Sequence, residues 1–181
     1  MTHKELKRSS DEREALAQEA YERALDYELE FGCCPQCVLA SVQETVGKNY
    51  VTDEIIKASH GLSGGGGLVG MGTCGALTGG LMALSARHGR DRHELDQGRG
   101  IGNFEKARHL TERFQETFGG TTCKDLQQKF TGKTYDFWKS EEYKAFDDAR
   151  GLQCAKATAD VTRWVVEMLE PVPEQEQNKD D

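Results

Sequence analysis

The spacing of apolar residues constrains the fold of this chain most strongly. Apolar residues recur three or four positions apart, as on one side of an α-helix, and no stretch alternates apolar and polar residues at the period of two that a half-buried strand requires. The clearest example comprises Cys154, Ala157, Val161, Trp164, Val165 and Met168. No internal repeat divides the 181 residues, so the sequence predicts an all-α, single-domain helical bundle.

Capping residues, glycines and prolines set the expected helix ends. The first helix opens with the capping box formed by Ser9 and Glu12 and closes at Gly32. Helices are expected at about residues 10–31, 37–46, 53–59, 75–88, 104–118, 124–130, 137–149 and 152–169. Residues 10–170 thus form the expected single helical domain, between a flexible N-terminus, residues 1–9, and a disordered acidic tail, residues 171–181.

The charge balance bears on partners and location. A formal charge of -8 and a pI near 5.2 argue against nucleic acid, because neutralising phosphates requires a basic stripe that this sequence lacks. The first residues contain no apolar segment of the signal-peptide type, so we expect a cytoplasmic protein with its six cysteines reduced. Reduced cysteines favour metal, cluster or redox chemistry over structural disulfides.

The stretch from Gly61 to Ala86 carries no formally charged side chain. Ten of its 26 residues are glycine, so it would be a poorly apolar and poorly helical membrane span, and we expect none. It matches the G-x-G-x-x-G pattern, but no strand precedes it as a dinucleotide fold requires. A glycine-rich loop leading into a central helix is expected instead, with amides that bind a cofactor at Gly65, Gly66, Gly67, Gly72 and Gly75.

Four cysteines share one placement in the sequence. Each lies at or near the predicted start of a helix, where unpaired N–H groups and a partial positive charge favour the thiolate and lower the cysteine pKa. Each also opens an apolar helix face, so one buried site could receive all four sulfurs. The predicted metal ligands are Cys37, Cys74, Cys123 and Cys154.

Several chemistries remain open for these cysteines. An iron–sulfur cluster takes four thiolates, and zinc takes the same set, although structural zinc sites usually draw on closely spaced pairs. Without metal, Cys74 would be the catalytic thiolate and a second cysteine would resolve it. A structural or binding module with buried cysteines is the plainest alternative.

The C-x-x-C from Cys34 to Cys37 adds a further signal. Such motifs become redox pairs when they open a helix, but no strand pattern precedes this one as in thioredoxins. Val38 stands where a c-type haem site needs histidine, so no haem is expected.

The chain resembles a redox-active family named for its C_GCAxxG_C_C pattern, over roughly residues 21–168. The resemblance rests on Cys37 before VLASV, a GGGG run with TCGALTGG, Cys123 before KDLQ, and Cys154 on the last helix. It assigns the family's cysteines to those four positions and its glycine motif to Cys74, Gly75, Ala76 and Gly79, with the local order C-G-A instead of G-C-A.

The resemblance implies redox or electron-transfer activity. A related segment in split-Soret cytochromes accompanies an iron–sulfur centre, which makes a cluster the expected cofactor. An unidentified redox partner protein is implied as well, and a homodimer is left open.

Overall fold

The computed structural model describes residues 8–169, and its helices confirm the all-α prediction. Within that range the β-type pairing is limited to one isolated antiparallel bridge between Thr73 and Thr122. The α-helices are α1 Ser10–Glu30, α2 Cys34–Val46, α3 Asp53–Ala58, α4 Gly75–His88, α5 Ile101–Phe118, α6 Cys123–Thr131, α7 Ser140–Arg150 and α8 Gln153–Leu169. The expected tail, and most of the expected flexible N-terminus, lie outside the described residues.

The first helix starts as its capping box predicts. The Ser9 hydroxyl accepts from the Glu12 amide at 3.3 Å, and the Glu12 carboxylate accepts from the Ser9 amide at 2.7 Å. These two bonds satisfy amides that a helix start leaves without partners. The predicted bounds of α4 are also confirmed.

The start of α2 differs from its prediction by three residues. The predicted bounds leave Pro35 before the helix, whereas it lies in the first turn, where its missing N–H costs nothing because that position has no acceptor. Cys33 takes the N-cap position with a φ of 63°. Cys34 therefore becomes the first residue of α2, and Cys37 lies one turn inside it.

Five helices enclose the main core. Helix α1 packs along α8, α2 contacts α1, α4 and α8, and α5 covers α4 and α8. The largest fully buried side chains are Phe114, Leu39, Leu77, Leu84 and Leu110. None of the helices within residues 8–169 combines the length and apolar character that crossing a bilayer requires.

A smaller aromatic cluster lies beside the main core, in and before α7. Ring centroids of Phe137 and Phe146 are 4.8 Å apart, and those of Tyr135 and Phe146 are 5.4 Å apart. Cys123 and Cys154 are half-buried against these rings. The cluster thus covers the region where α6 and α8 begin.

Candidate redox site

A small cavity lies where the N-terminal ends of α2, α4, α6 and α8 meet. Its volume is about 70 Å³, enough for more than one water-sized group. Cys34 and Cys123 are the first residues of α2 and α6, Cys74 is the N-cap of α4, and Cys154 is the second residue of α8. All four line the cavity, and none forms a disulfide.

The cavity therefore contains three of the four cysteines predicted to converge. Cys37 is the exception, because it is 3% exposed on another side of α2 and its thiol donates to the Gly32 carbonyl at 2.7 Å. Cys34 occupies the cavity instead, since α2 begins three residues earlier than predicted. The expected meeting of Cys37 with the other three is thus corrected to a meeting of Cys34 with them.

Backbone hydrogen bonds hold the starts of α4 and α6 side by side. The amide of Cys74 donates to the Thr121 carbonyl at 2.7 Å, and the amide of Cys123 donates to the Gly72 carbonyl at 3.1 Å. The isolated bridge lies between these two bonds. Two cysteines that are far apart in sequence are therefore neighbours by backbone geometry.

The glycine loop before α4 folds on itself. The amides of Gly66, Gly67 and Gly72 donate to the carbonyls of Leu62, Gly61 and Gly65 at 3.3, 2.8 and 3.0 Å. Such amides are already paired, so they are not available to a cofactor in this arrangement. The prediction that the loop presents bare amides is wrong for these three glycines.

The compact turn requires glycine at position 65. A Cβ on Gly65, whose φ is 78°, would lie 2.9 Å from the carbonyl carbon of Gly70 and 2.9 Å from the oxygen of Gly72. Of the five glycines predicted to bind a cofactor, Gly75 lines the cavity. The structure places Gly65 in the turn that carries Cys74 toward α6.

The last cavity cysteine faces the end of α7. Burial raises the pKa of the Cys154 thiol to about 11, against the opposing effect of the Arg150 guanidinium. The side chain of Arg150 is 13% exposed and hydrogen-bonds Asp147 at 2.6 Å. A buried positive charge therefore stands beside one of the four sulfurs.

Glu28 brings a carboxylate to the same cavity. Its Oε1 lies 3.8 Å from Nη1 of Arg150, while Oε2 is buried and makes no hydrogen bond with any described residue. Burial raises the pKa of Glu28, which is 3% exposed, although Cys34 and Arg150 act in the opposite direction.

Sequence reasoning missed both charged residues. The signal for Glu28 was present, because it continues the buried α1 face of Ala17, Ala20 and Ala24.

Gln127 is a further residue that the sequence did not single out. Its amide nitrogen donates to the Cys123 sulfur at 3.5 Å, and its amide oxygen accepts from the Tyr135 backbone at 2.7 Å. The fully buried Gln127 side chain thus links the start of α6 to the aromatic cluster.

Burial dominates the acidity of the cavity thiols. It raises the pKa of Cys34, Cys74 and Cys123, and for Cys74 it outweighs the opposing amides of Ala76 and Leu77. The predicted lowering of these pKa values is not found, because the desolvation of four enclosed thiols exceeds the effect of the helix ends. Burial therefore favours the protonated form of these thiols in the metal-free chain.

The side chains of residues 8–169 include no group of three or more His, Cys, Asp and Glu in an arrangement that would hold a metal ion. A family model described as "Putative redox-active protein (C_GCAxxG_C_C)" matches residues 32–168. Neither the curated proteins nor the solved structures gave a match. The matched range contains all four cavity cysteines.

Proposed function

This chain belongs to the redox-active family named for its C_GCAxxG_C_C pattern, and we propose that Cys34, Cys74, Cys123 and Cys154 hold an iron–sulfur cluster in it. One observation carries the proposal. Four cysteines from four different helices line one cavity, each at the N-terminal end of its helix. A cluster would supply one-electron transfer chemistry at that place.

The donor chemistry of the four thiols matches a cluster, although the described side chains are not grouped as ligands of a metal ion, so the sulfurs would have to move together on loading. Thiolate sulfur is the usual protein ligand of iron–sulfur clusters, and the first-turn amides of Ala76 and Leu77 point at the Cys74 sulfur. Such amides stabilise the more negative, reduced state and so raise the reduction potential. Arg150 adds a positive charge beside Cys154 in the same sense.

Burial of the thiols also determines how a cluster would bind. A thiol must lose its proton to become a ligand, so loading would release protons and be coupled to the ordering of the cavity side chains. Leu68 and Phe137 line the cavity and would limit the access of water to the bound cluster.

The alternative that uses Cys74 as a metal-free reactive thiolate gains no support from the structure. A reactive thiol must be reached by its substrate, whereas Cys74 is 6% exposed and enclosed in the cavity. Zinc binds the same thiolate donors as an iron–sulfur cluster, so metal analysis of the protein distinguishes zinc from iron.

The test is an absorbance spectrum with iron, zinc and acid-labile sulfide analysis, on full-length protein produced with ample iron and purified without oxygen. The proposal predicts visible absorption, with iron and sulfide in matching amounts. A colourless protein would overturn it: stoichiometric zinc would indicate a structural site, and the absence of both metals would indicate thiol chemistry.

The proposal extends to the setting of the protein. We propose a reducing cytoplasm, in which the cavity thiols stay available for cluster assembly. An electron-transfer role also requires a redox partner protein, whose identity would follow from the potential measured for the loaded protein.

A further inference from the structure

Two cysteines that the proposed cluster does not use share an open groove next to α2. Cys33 and Cys37 line it together with Gln36, Ile56 and the aromatic pair of Tyr27 and Phe31, and its volume is about 330 Å³. Cys33 lines both the groove and the cavity, whereas Cys37 lines the groove and does not line the cavity. The groove wall is largely apolar, with the two rings 5.4 Å apart.

The two thiols are one helical turn apart. The Cys37 amide donates to the Cys33 carbonyl at 3.2 Å, which is the bond between residues i+4 and i. Helical side chains so related have Cβ atoms about 5–6 Å apart, somewhat more than the ~3.5–4.5 Å that a disulfide spans. Cys33 is an N-cap outside the regular helix, and its side chain would have to rotate toward Cys37 for the bond to form.

The backbone at Cys33 is held in an unusual conformation. Its φ of 63° lies in the left-handed region, which is unfavourable for a residue with a Cβ. Gly32, with the same φ, precedes it. Both thiols are free: Cys33 donates to the His60 carbonyl at 3.8 Å, and Cys37 donates to the Gly32 carbonyl.

Accessibility assigns different roles to the pair. Cys33 is half-buried, while Cys37 is almost fully enclosed. A molecule in the groove therefore meets the Cys33 sulfur first, and Cys37 stands behind it.

We propose that Cys33 and Cys37 form a second redox site, a dithiol that reduces a disulfide bonded to an apolar group seated in the groove. The Cys33 sulfur attacks one sulfur of that disulfide, forms a mixed disulfide and releases the first thiol. The Cys37 sulfur then attacks Cys33 and releases the second. One intrachain disulfide forms, the substrate disulfide is reduced, and the two cysteine protons end on the two released thiols.

Dithiodipyridine, an uncharged aromatic disulfide, tests this site on the full-length, cluster-loaded protein. Each released thiopyridone is counted by absorbance, and the peptide of residues 24–48, which contains both thiols, is weighed after trypsin digestion. The wild type should release two equivalents rapidly and gain an intrachain disulfide. Cys37→Ser should release one equivalent of thiopyridone and keep the pyridyl adduct. Cys33→Ser should react more slowly than the wild type by a factor of about ten or more.

Gln36→Ala is the matched control, since it changes another groove side chain and leaves every thiol in place. It should form the same disulfide, and fragmentation of the peptide should place the bond between Cys33 and Cys37 and leave Cys34 unbonded. A bond at Cys34, or a full rapid phase in both Cys33→Ser and Cys33→Ala, would overturn the inference. Iron content is followed in parallel, so failure of the dithiol and failure of the proposed cluster are recorded separately.

Discussion

Arg150 and Glu28 show how strongly burial acts on single residues of this protein. Arg150 is the cation beside the buried carboxylate of Glu28 and the sulfur of Cys154. Enclosed charges of this kind need a partner, because desolvation costs several kcal/mol per ion. The same physics favours the protonated form of the cavity thiols.

Arg150→Ala is expected to lower the free energy of unfolding by about 3 kcal/mol, since Glu28 would be left without its positive partner. Lys48→Ala is the matched control, because its pair with Asp53 at 3.0 Å is exposed and should contribute little to stability. Urea unfolding of the three proteins measures both values. Equal losses in the two variants would refute the importance assigned to burial.

At the scale of elements, the contact between α2 and α4 positions two of the cavity cysteines. A Cβ on Gly79 would lie 2.8 Å from the Pro35 oxygen and 2.9 Å from its Cα, so the two backbones touch. Cys34 precedes that proline, and Cys74 caps α4. The distance between these helices therefore controls the distance between their cysteines.

Gly79→Ala is expected to destabilise the protein by about 2–3 kcal/mol, because the methyl group meets backbone atoms that cannot rotate away. Gly102→Ala places the same methyl group in α5, with no atom within 4 Å, and should stabilise by about 0.5–1 kcal/mol. Thermal or urea denaturation compares them. A neutral Gly79→Ala would contradict the close packing of α2 on α4.

How far the sequence predicts this site depends on how well it predicts the ends of the helices. Capping residues predicted the start of α1, and the small residues before and after Cys74 predicted the start of α4. The start of α2 could not be derived the same way, because a proline is compatible both with the first turn and with the segment before it. The cavity therefore receives Cys34 where the sequence suggested Cys37.

At the scale of the molecule, the cavity lies between the main core and the aromatic cluster. Residues from both regions line it, among them Ala76 and Phe146. Helical periodicity could not predict this boundary, because it shows which face of a helix is buried but not which element packs against that face. It also means that the cavity exists only when both regions are folded.

Single-domain behaviour remains a prediction, and cooperative unfolding tests it. Trp138→Phe leaves Trp164, which is buried in the main core, as the sole tryptophan. Its fluorescence and the helical circular dichroism should lose signal at one shared urea midpoint. Two separated midpoints would instead indicate that the regions on the two sides of the cavity unfold independently.

The central claim is that the redox centre belongs to the cavity, with Cys34 as a ligand in place of Cys37. The most direct measurement compares iron and sulfide content in Cys34→Ser and Cys37→Ser, both produced with ample iron and purified without oxygen. The account predicts that Cys34→Ser loses most of its iron, sulfide and visible absorption, while Cys37→Ser retains the wild-type amounts. Retention in Cys34→Ser together with loss in Cys37→Ser would contradict it.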